Sequence, residues 1–219
     1  MTDYQRQVDT KHYSFKGYFH KFRWMSYWYQ LKEIVDRPDI TSQLDIGPGS
    51  LFLKKTLEVH RPDLKYTSMD IDSNLGSDVV GSVTSIPFPD QSFDLVSAFQ
   101  VLEHIKFEDF ETALKEMERV SKRYVFISLP HNVPSFDFQF KLPGIKRFSL
   151  AIKIPFGQKH VFNGQHYWEV GKRGYSAKRI LSILTRHFEV ITEYVPFENQ
   201  YHHFYILKKR VWDCWWSHR

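Results

Sequence analysis

The sequence predicts an α/β fold: seven strands in a mostly parallel sheet, helices on both faces, and an antiparallel pair at the C-terminal end. Three observations carry this. Leu44-Asp45-Ile46-Gly47-Pro48-Gly49-Ser50 runs an apolar strand into a glycine turn and then into a helical pattern. Along residues 42–129, short apolar runs alternate with helix-period segments, the order of a sheet wound on both sides. Near the C-terminus two strand patterns are separated only by residues 197–201, too short for a crossover and suited to a hairpin.

The elements follow in order. Between residues 22 and 35, Trp24, Tyr27, Trp28, Leu31, Ile34 and Val35 recur at threes and fours, which predicts an amphipathic helix with most of its rings in the core. The aromatic stretch before it, residues 13–19, has no period and reads either as further core or as a lid over a ligand. Strand 42–46 leads through the glycine turn into a helix over 51–59, which stops before Arg61-Pro62 because proline disfavours helix in its predecessor. Strand 65–70 ends in Asp70, residues 72–78 make a turn, and 79–81 form a brief third strand. Residues 93–99 are apolar enough to be buried on both faces, as central parallel strands are. A helix over 107–120 has Phe110, Leu114, Met117 and Val120 on one stripe, and a fifth strand over 124–129 closes at Pro130. Residues 131–174 lose the pattern to prolines and glycines. That is too long for a plain connection, so it reads as an insertion or flap, with a short amphipathic helix expected at 146–154. A helix over 176–187, capped by Ser176, precedes strands at 189–196 and 202–208. The tail with Trp212, Trp215 and Trp216 is either docked or an association surface, so monomer and homodimer both stay open.

Length and composition bound the function. A chain of 219 residues with 42% apolar content suits one α/β domain, with an N-terminal aromatic cap over about 1–38 and the insertion over about 131–174. The single cysteine, Cys214, excludes a disulfide framework or a cysteine-built zinc site within one chain. No apolar run reaches the roughly 18 residues that span a bilayer. The first eleven residues lack a signal core, so a cytoplasmic protein is expected. The net charge of +5 is unevenly placed: residues 138–187 hold ten Lys or Arg against one acid, Glu169, a local +9. Such a segment suits an anionic substrate, a membrane surface or nucleic acid, or is a solvated basic face.

At this point the sequence resembles the class I S-adenosylmethionine-dependent methyltransferases, in particular the small-molecule group with one Rossmann-like domain. The resemblance rests on the glycine turn, Ser68-Met69-Asp70-Ile71-Asp72, the segment 80–96, Gln100-Val101-Leu102-Glu103-His104-Ile105 and residues 114–122, and spans roughly 42–129. It implies S-adenosylmethionine as cofactor, with Gly47, Pro48 and Gly49 passing under its methionine part and Asp45 helping to hold the amino group. Asp70 would accept hydrogen bonds from both ribose hydroxyls, and Ile71 would pack on the adenine. Ser82 stands where many relatives have an acid for the adenine amine; its hydroxyl or the Val83 amide would take that bond. Phe99 and Gln100 would face the sulfonium. A nicotinamide dehydrogenase is disfavoured, because the third glycine of its fingerprint would fall at Phe52. Asp72 reads as a turn or helix cap rather than a ligand.

Methyl transfer is an in-line displacement with a good leaving group, so the protein mainly aligns the nucleophile and removes a proton from a hydroxyl or amine. His104 lies just past the fourth strand, where methyl and acceptor meet, and is either that base or a residue shaping the pocket. Glu103 reads as structural or as a water-mediated cofactor contact, with a catalytic acid or base as the alternative. His160, His166 and Trp168 are expected to line the acceptor pocket, with basic neighbours favouring an anionic metabolite. No metal is expected, since His160 and His166, six apart in a glycine-interrupted loop, lack ligand spacing. The leading reading is a methyltransferase acting on O or N of a small molecule. A nucleic-acid methyltransferase and a silent cofactor-binding module are the alternatives; membrane-surface contact through the insertion is a variant.

Overall fold

The computed structural model describes residues 15–210; the expected tail association, Cys214 and the start of the possible lid lie outside them. Among the described residues five helices, α1 (Phe15–Tyr18), α2 (Lys21–Val35), α3 (Phe52–His60), α4 (Phe110–Val120) and α5 (Ala177–His187), accompany nine strands. These are β1 (Ser42–Ile46), β2 (Lys65–Asp70), β3 (Val79–Val80), β4 (Phe93–Phe99), β5 (Ser121–Pro130), β6 (Ser135–Phe140), β7 (Phe148–Lys153), β8 (Phe188–Tyr194) and β9 (His202–Lys209). Seven form one sheet in the order β3-β2-β1-β4-β5-β9-β8. Pairing is parallel from β3 to β5 and antiparallel at β5–β9 and β9–β8, as expected. Among the described residues no helix is long and apolar enough to cross a membrane.

This order decides where a ligand goes. After β1 the chain winds to β2 and β3 on one side, then returns to place β4 on the other. The carboxyl ends of β1 and β4 are therefore the switch point outside which sheets of this kind place a ligand in a crevice. β4 is buried along its length up to Phe99, and the stripe Phe110, Ala113, Leu114, Met117 and Val120 of α4 covers one face of the sheet. Ser176 caps α5 by accepting the Arg179 amide.

Three expectations need correction. The helix over 107–120 begins as a 3-10 turn, Phe107–Asp109, and becomes α only at Phe110. Residues 146–154 form no helix: β6 and β7 pair as an antiparallel hairpin separate from the main sheet. The period-two run Ser135-Phe136-Asp137-Phe138-Gln139-Phe140 carried that signal. In α2 most rings are not core, since Phe22, Trp24 and Trp28 are exposed. Its buried face holds Ser26, Tyr27, Gln30, Glu33 and Ile34, and the polar members are satisfied there. Ser26 Oγ lies 2.6 Å from His202 Nδ1, Tyr194 donates to Glu33 at 2.8 Å, and Arg37 pairs with Glu33 at 2.7 Å. Buried polar groups with partners turn the core-facing side away from Trp24, Trp28 and Val35, while Tyr27 and Ile34 stay within it.

Candidate active site

The glycine turn is built by three consecutive demands on the backbone. Gly47 (φ 66°), Gly49 (φ 59°) and Leu51 (φ 57°) all lie in the left-handed region, which folds the chain back sharply at the head of α3. The Gly47 amide donates to Met69 O at 2.8 Å, so the turn is tied to β2. A Cβ on Gly47 would sit 2.5 Å from Val101 Cγ2, so the loop after β4 packs directly on this glycine. Pro48 completes the turn.

The two acids at the strand ends differ. Asp45 is buried; its Oδ1 accepts the Ser97 hydroxyl at 2.6 Å and its Oδ2 accepts Tyr66, and burial pushes its pKa up to about 6 despite those bonds. Asp70 ends β2 at the crevice. Its Oδ1 accepts the Asp72 amide at 2.9 Å, and burial raises its pKa against that bond. Asp72 caps the 3-10 turn Ser73–Leu75 by accepting the Asn74 amide, the capping role read from sequence. Ile71 stands beside Asp70 with 39% of its surface exposed, an apolar platform. Ser82 Oγ lies 2.8 Å from Thr84 Oγ1, and the Val83 side chain is buried.

Beyond β4, Gln100 is a non-glycine residue at φ 59°, held by its amide bond to Ser128 O at 3.0 Å. Such a conformation costs on the order of 1 kcal/mol and marks the point where the chain turns into the crevice. Phe99 lies beside Phe204, 6.2 Å between ring centroids. The 3-10 turn Leu102–His104 then presents Glu103 and His104 to the insertion. His104 Nδ1 donates to Gln165 O at 3.1 Å, since a carbonyl can only accept. The His104 and His166 rings meet edge to face at 5.0 Å, and His166 Nδ1 lies 2.9 Å from Glu169 Oε1. His160 Nε2 donates to His166 O at 2.8 Å, and the Tyr167 amide donates to Glu103 O at 2.9 Å. Insertion and β4 loop are thus laced together.

The electrostatics single out Glu103. Its side chain is fully buried, among the described residues neither carboxylate oxygen has a hydrogen-bond partner, and burial pushes its pKa up to about 7 against the pull of His166. Burial is the largest influence on Glu169 and His166 too, but their mutual bond and the neighbouring charges together exceed it, holding the Glu169 carboxyl low and the His166 imidazole high.

Of the expected acceptor residues, His104, His160 and His166 come together and Trp168 does not. Trp168 is fully buried against Phe107 and Phe110, and its Nε1 donates to Ile105 O at 3.1 Å, so it belongs to the core. Sequence reasoning missed Arg23. This α2 cation stacks 4.4 Å over Tyr18, is near enough to Glu103, His166 and Tyr201 to stabilise their anionic forms or oppose their cationic ones, and has a buried Nε without a partner among the described residues. Its one signal was an arginine set among the aromatic residues of α2.

The model of the family described as "Methyltransferase domain" matches residues 44–127, the segment that runs from the glycine turn through β5. No curated protein matches the sequence. Among solved structures, the N-methyltransferase NodS from Bradyrhizobium japonicum WM9, in complex with S-adenosylhomocysteine, superposes with a TM-score of 0.60 at 10% identity, covering 93% of this chain and 94% of that one. Magnesium protoporphyrin IX methyltransferase from Synechocystis PCC 6803 gives 0.57 at 12% identity over 86% and 84%. The 1,6-didemethyltoxoflavin-N1-methyltransferase of Burkholderia thailandensis gives 0.54 at 16% over 84% and 76%. At such identities these neighbours show a shared fold, while the family match falls on the residues that build the crevice. Residues 44–127 therefore match a methyltransferase domain, set in a fold that the chain shares with solved methyltransferases.

Proposed function

We propose that this methyltransferase acts on oxygen or nitrogen of a small, anionic acceptor held between the β4 loop and the insertion. The observation that carries this is the Glu103, His104 and His166 group at the carboxyl end of β4, beside Gln100, with the Arg23 cation behind it.

The residues fit S-adenosylmethionine, whose sulfonium supplies the methyl group when bound. The turn at Gly47, Pro48 and Gly49, with Val101 packed on Gly47, would pass under the methionine part, and Asp45 below it would supply negative potential for the ammonium. Asp70 takes the ribose hydroxyls and Ile71 the adenine face, with Ser82 or the Val83 amide at its edge. Phe99 and Gln100 border the methyl. Phe19 lies over Phe52 at the head of α3, 5.8 Å between centroids, which supports the N-terminal aromatic segment as a cover for this side. The acceptor's own proton passes to the Glu103, His104 and His166 group, and Arg23 pairs with its negative charge.

Calorimetry with S-adenosylhomocysteine, followed by transfer of labelled methyl from S-adenosylmethionine into fractions of a cell extract, tests the proposal. Label in the small-molecule fraction supports it. Label confined to RNA or protein, or binding with no transfer to any fraction, overturns it.

A further inference from the structure

We propose that Glu103, His104 and His166 bind a first-row divalent transition-metal ion such as Mn²⁺, Co²⁺ or Zn²⁺ at the acceptor end of the crevice. The three residues each offer a ligand atom, and these atoms lie within 4.8 Å of one another. Donors around a tetrahedral ion bound at 2.0–2.2 Å are about 3.4 Å apart, so closing on a cation needs each side chain to move in by no more than about 1 Å.

A second observation points independently to a ligand. Glu103 is fully buried, and among the described residues its two oxygens have no hydrogen-bond partner. A buried carboxyl group without donors is costly in a folded protein, and a bound cation is one of the few things that removes the cost.

The residues behind the cluster are arranged as they are behind metal-bound histidines. His104 Nδ1 must carry its proton, because its partner at 3.1 Å is the Gln165 carbonyl; the ring lone pair is then on Nε2. His166 Nδ1 points at the Glu169 carboxylate at 2.9 Å, which likewise directs coordination to Nε2 and strengthens that nitrogen as a donor. Glu169 is fixed in turn by the Tyr201 hydroxyl at 3.3 Å. Metal binding displaces any proton on His166 Nε2.

The donor set indicates the class of ion. Two imidazoles and one carboxylate favour first-row transition cations over Mg²⁺ and Ca²⁺, which take all-oxygen shells. Three protein ligands leave positions open, so an acceptor oxygen could coordinate and give up its proton to water, the three ligated side chains then no longer acting as the base. That role for the ion rests on the methyl-transfer reading; the site itself does not.

Untagged full-length protein, stripped with chelator and titrated with Co²⁺, gives the test. The expected result is saturable visible absorption at one ion per chain, bleached by Zn²⁺. Glu103→Gln and His166→Gln should each weaken it at least tenfold while their circular-dichroism melts stay cooperative. Absence of the absorption, or an identical titration in both variants, overturns the site. Calorimetry with S-adenosylhomocysteine on the same samples separates the readings: cofactor binding without cobalt sinks only the metal site, and cobalt binding without cofactor sinks only the methyl-transfer role.

A different observation concerns the β6–β7 hairpin. Its register pairs Phe136 with Ile152, Phe138 with Leu150 and Phe140 with Phe148, which puts six apolar side chains on one face, each 43–57% exposed. The connecting turn adds exposed Leu142 and Ile145 among Lys141, Lys146 and Arg147, and Asp137 is the one acid between residues 135 and 153. An apolar ladder ending in a basic tip complements anionic lipid, which accepts apolar side chains below a layer of negative headgroups. We infer that this hairpin docks on an anionic membrane surface.

Co-sedimentation with phosphatidylcholine vesicles, with and without phosphatidylglycerol, tests it. Binding that requires the anionic lipid, falls steeply with salt, and is lost in Leu142→Asp/Ile145→Asp supports the inference. No binding, equal binding to neutral vesicles, or self-association in lipid-free sedimentation velocity that the same variant abolishes overturns it.

Discussion

Ser97 on β4 donates its hydroxyl to Asp45 on β1 at 2.6 Å, joining the two strands whose carboxyl ends form the switch point. Tyr66 donates to the other Asp45 oxygen from β2, so three strands share one buried carboxylate. Burial wins over both bonds and raises the Asp45 pKa from 3.8 to about 6. A carboxyl raised in the folded state favours folding below its unfolded pKa, and that contribution is lost as pH rises through 6. At pH 7 the ionised group therefore costs the fold about 3 kcal/mol relative to acid. Asp45→Asn should melt higher than wild type at pH 7.5, the gap should shrink by roughly 1 kcal/mol at pH 5, and S-adenosylhomocysteine affinity should fall. A gap that does not change with pH would refute this account.

Asp70 and Asp72 are two residues apart and do different work. Charged hydrogen bonds to two hydroxyls contribute about 1.5–3 kcal/mol each, so Asp70→Ala should weaken S-adenosylhomocysteine by at least 100-fold with little change in melting. Asp72→Ala removes the cap on the Ser73–Leu75 turn and should cost about 1 kcal/mol of stability, with a much smaller loss of affinity. Calorimetry and thermal melts on both variants check the contrast, and equal affinity losses would contradict it.

Gly47→Ala meets two obstacles: φ of 66° and a Cβ 2.5 Å from Val101 Cγ2. The first costs about 1 kcal/mol for a non-glycine residue, and the second forces the β4 loop away. Lower stability and at least tenfold weaker cofactor binding are expected. Adding Val101→Ala should recover the steric part alone, leaving the double variant between the single variant and wild type. Full recovery would mean that the backbone conformation contributes nothing.

These predictions rest on parts of the chain where local sequence and tertiary structure agree. Strands 42–46, 65–70 and 93–99 were legible to the residue: 93–99 as a short apolar run buried nearly throughout, and 42–46 and 65–70 from the glycine turn and Asp70 that end them. The glycine turn was legible because only glycine takes its φ angles cheaply. Two kinds of feature were not. The α2 face was misread in part because several of its buried residues are polar and are satisfied by His202, Tyr194 and Arg37, all remote or invisible to a hydropathy pattern. Arg23, Glu103 and Glu169 converge from α2, the β4 loop and the insertion, and no spacing in the sequence records that meeting. His104, His160 and His166 were singled out by chemistry and lie together, whereas Trp168 lies in the core; an aromatic ring beside histidines looks the same in sequence whether it lines a pocket or lies beneath one.

Trp168 offers a clean test of that last point. As a core residue it should cost about 3–5 kcal/mol as Trp168→Ala, through the cavity left against Phe107 and Phe110. Trp168→Phe keeps most of the packing but leaves Ile105 O without its donor, for about 1–3 kcal/mol. Cofactor affinity should stay unchanged below the melting transition. A Trp168→Phe variant with unaltered stability and a raised acceptor KM would return the residue to the pocket.

His131 and His203 should set the acid limit of the fold. Their rings stack at 5.2 Å with an 11° interplanar angle, and Lys153 donates to His131 O at 2.7 Å, placing a cation beside the pair. Glu193 lies 3.7 Å from His203 Nε2, and Tyr205 OH 3.2 Å from its Nδ1. Burial, then the Lys153 charge, depresses the pKa of His131 to about 3 and of His203 to about 4. A histidine depressed in the folded state takes up its proton mainly on unfolding, so its stabilising effect is complete above the unfolded value of 6.5 and drains away as pH falls towards the folded one. Each should cost wild type about 2 kcal/mol between pH 7.5 and pH 5, against roughly 1 kcal/mol returned by Asp45. Urea midpoints measured across that range should therefore fall for wild type and fall less for His131→Gln and for His203→Gln. Parallel curves for all three proteins would place the acid sensitivity elsewhere in the chain.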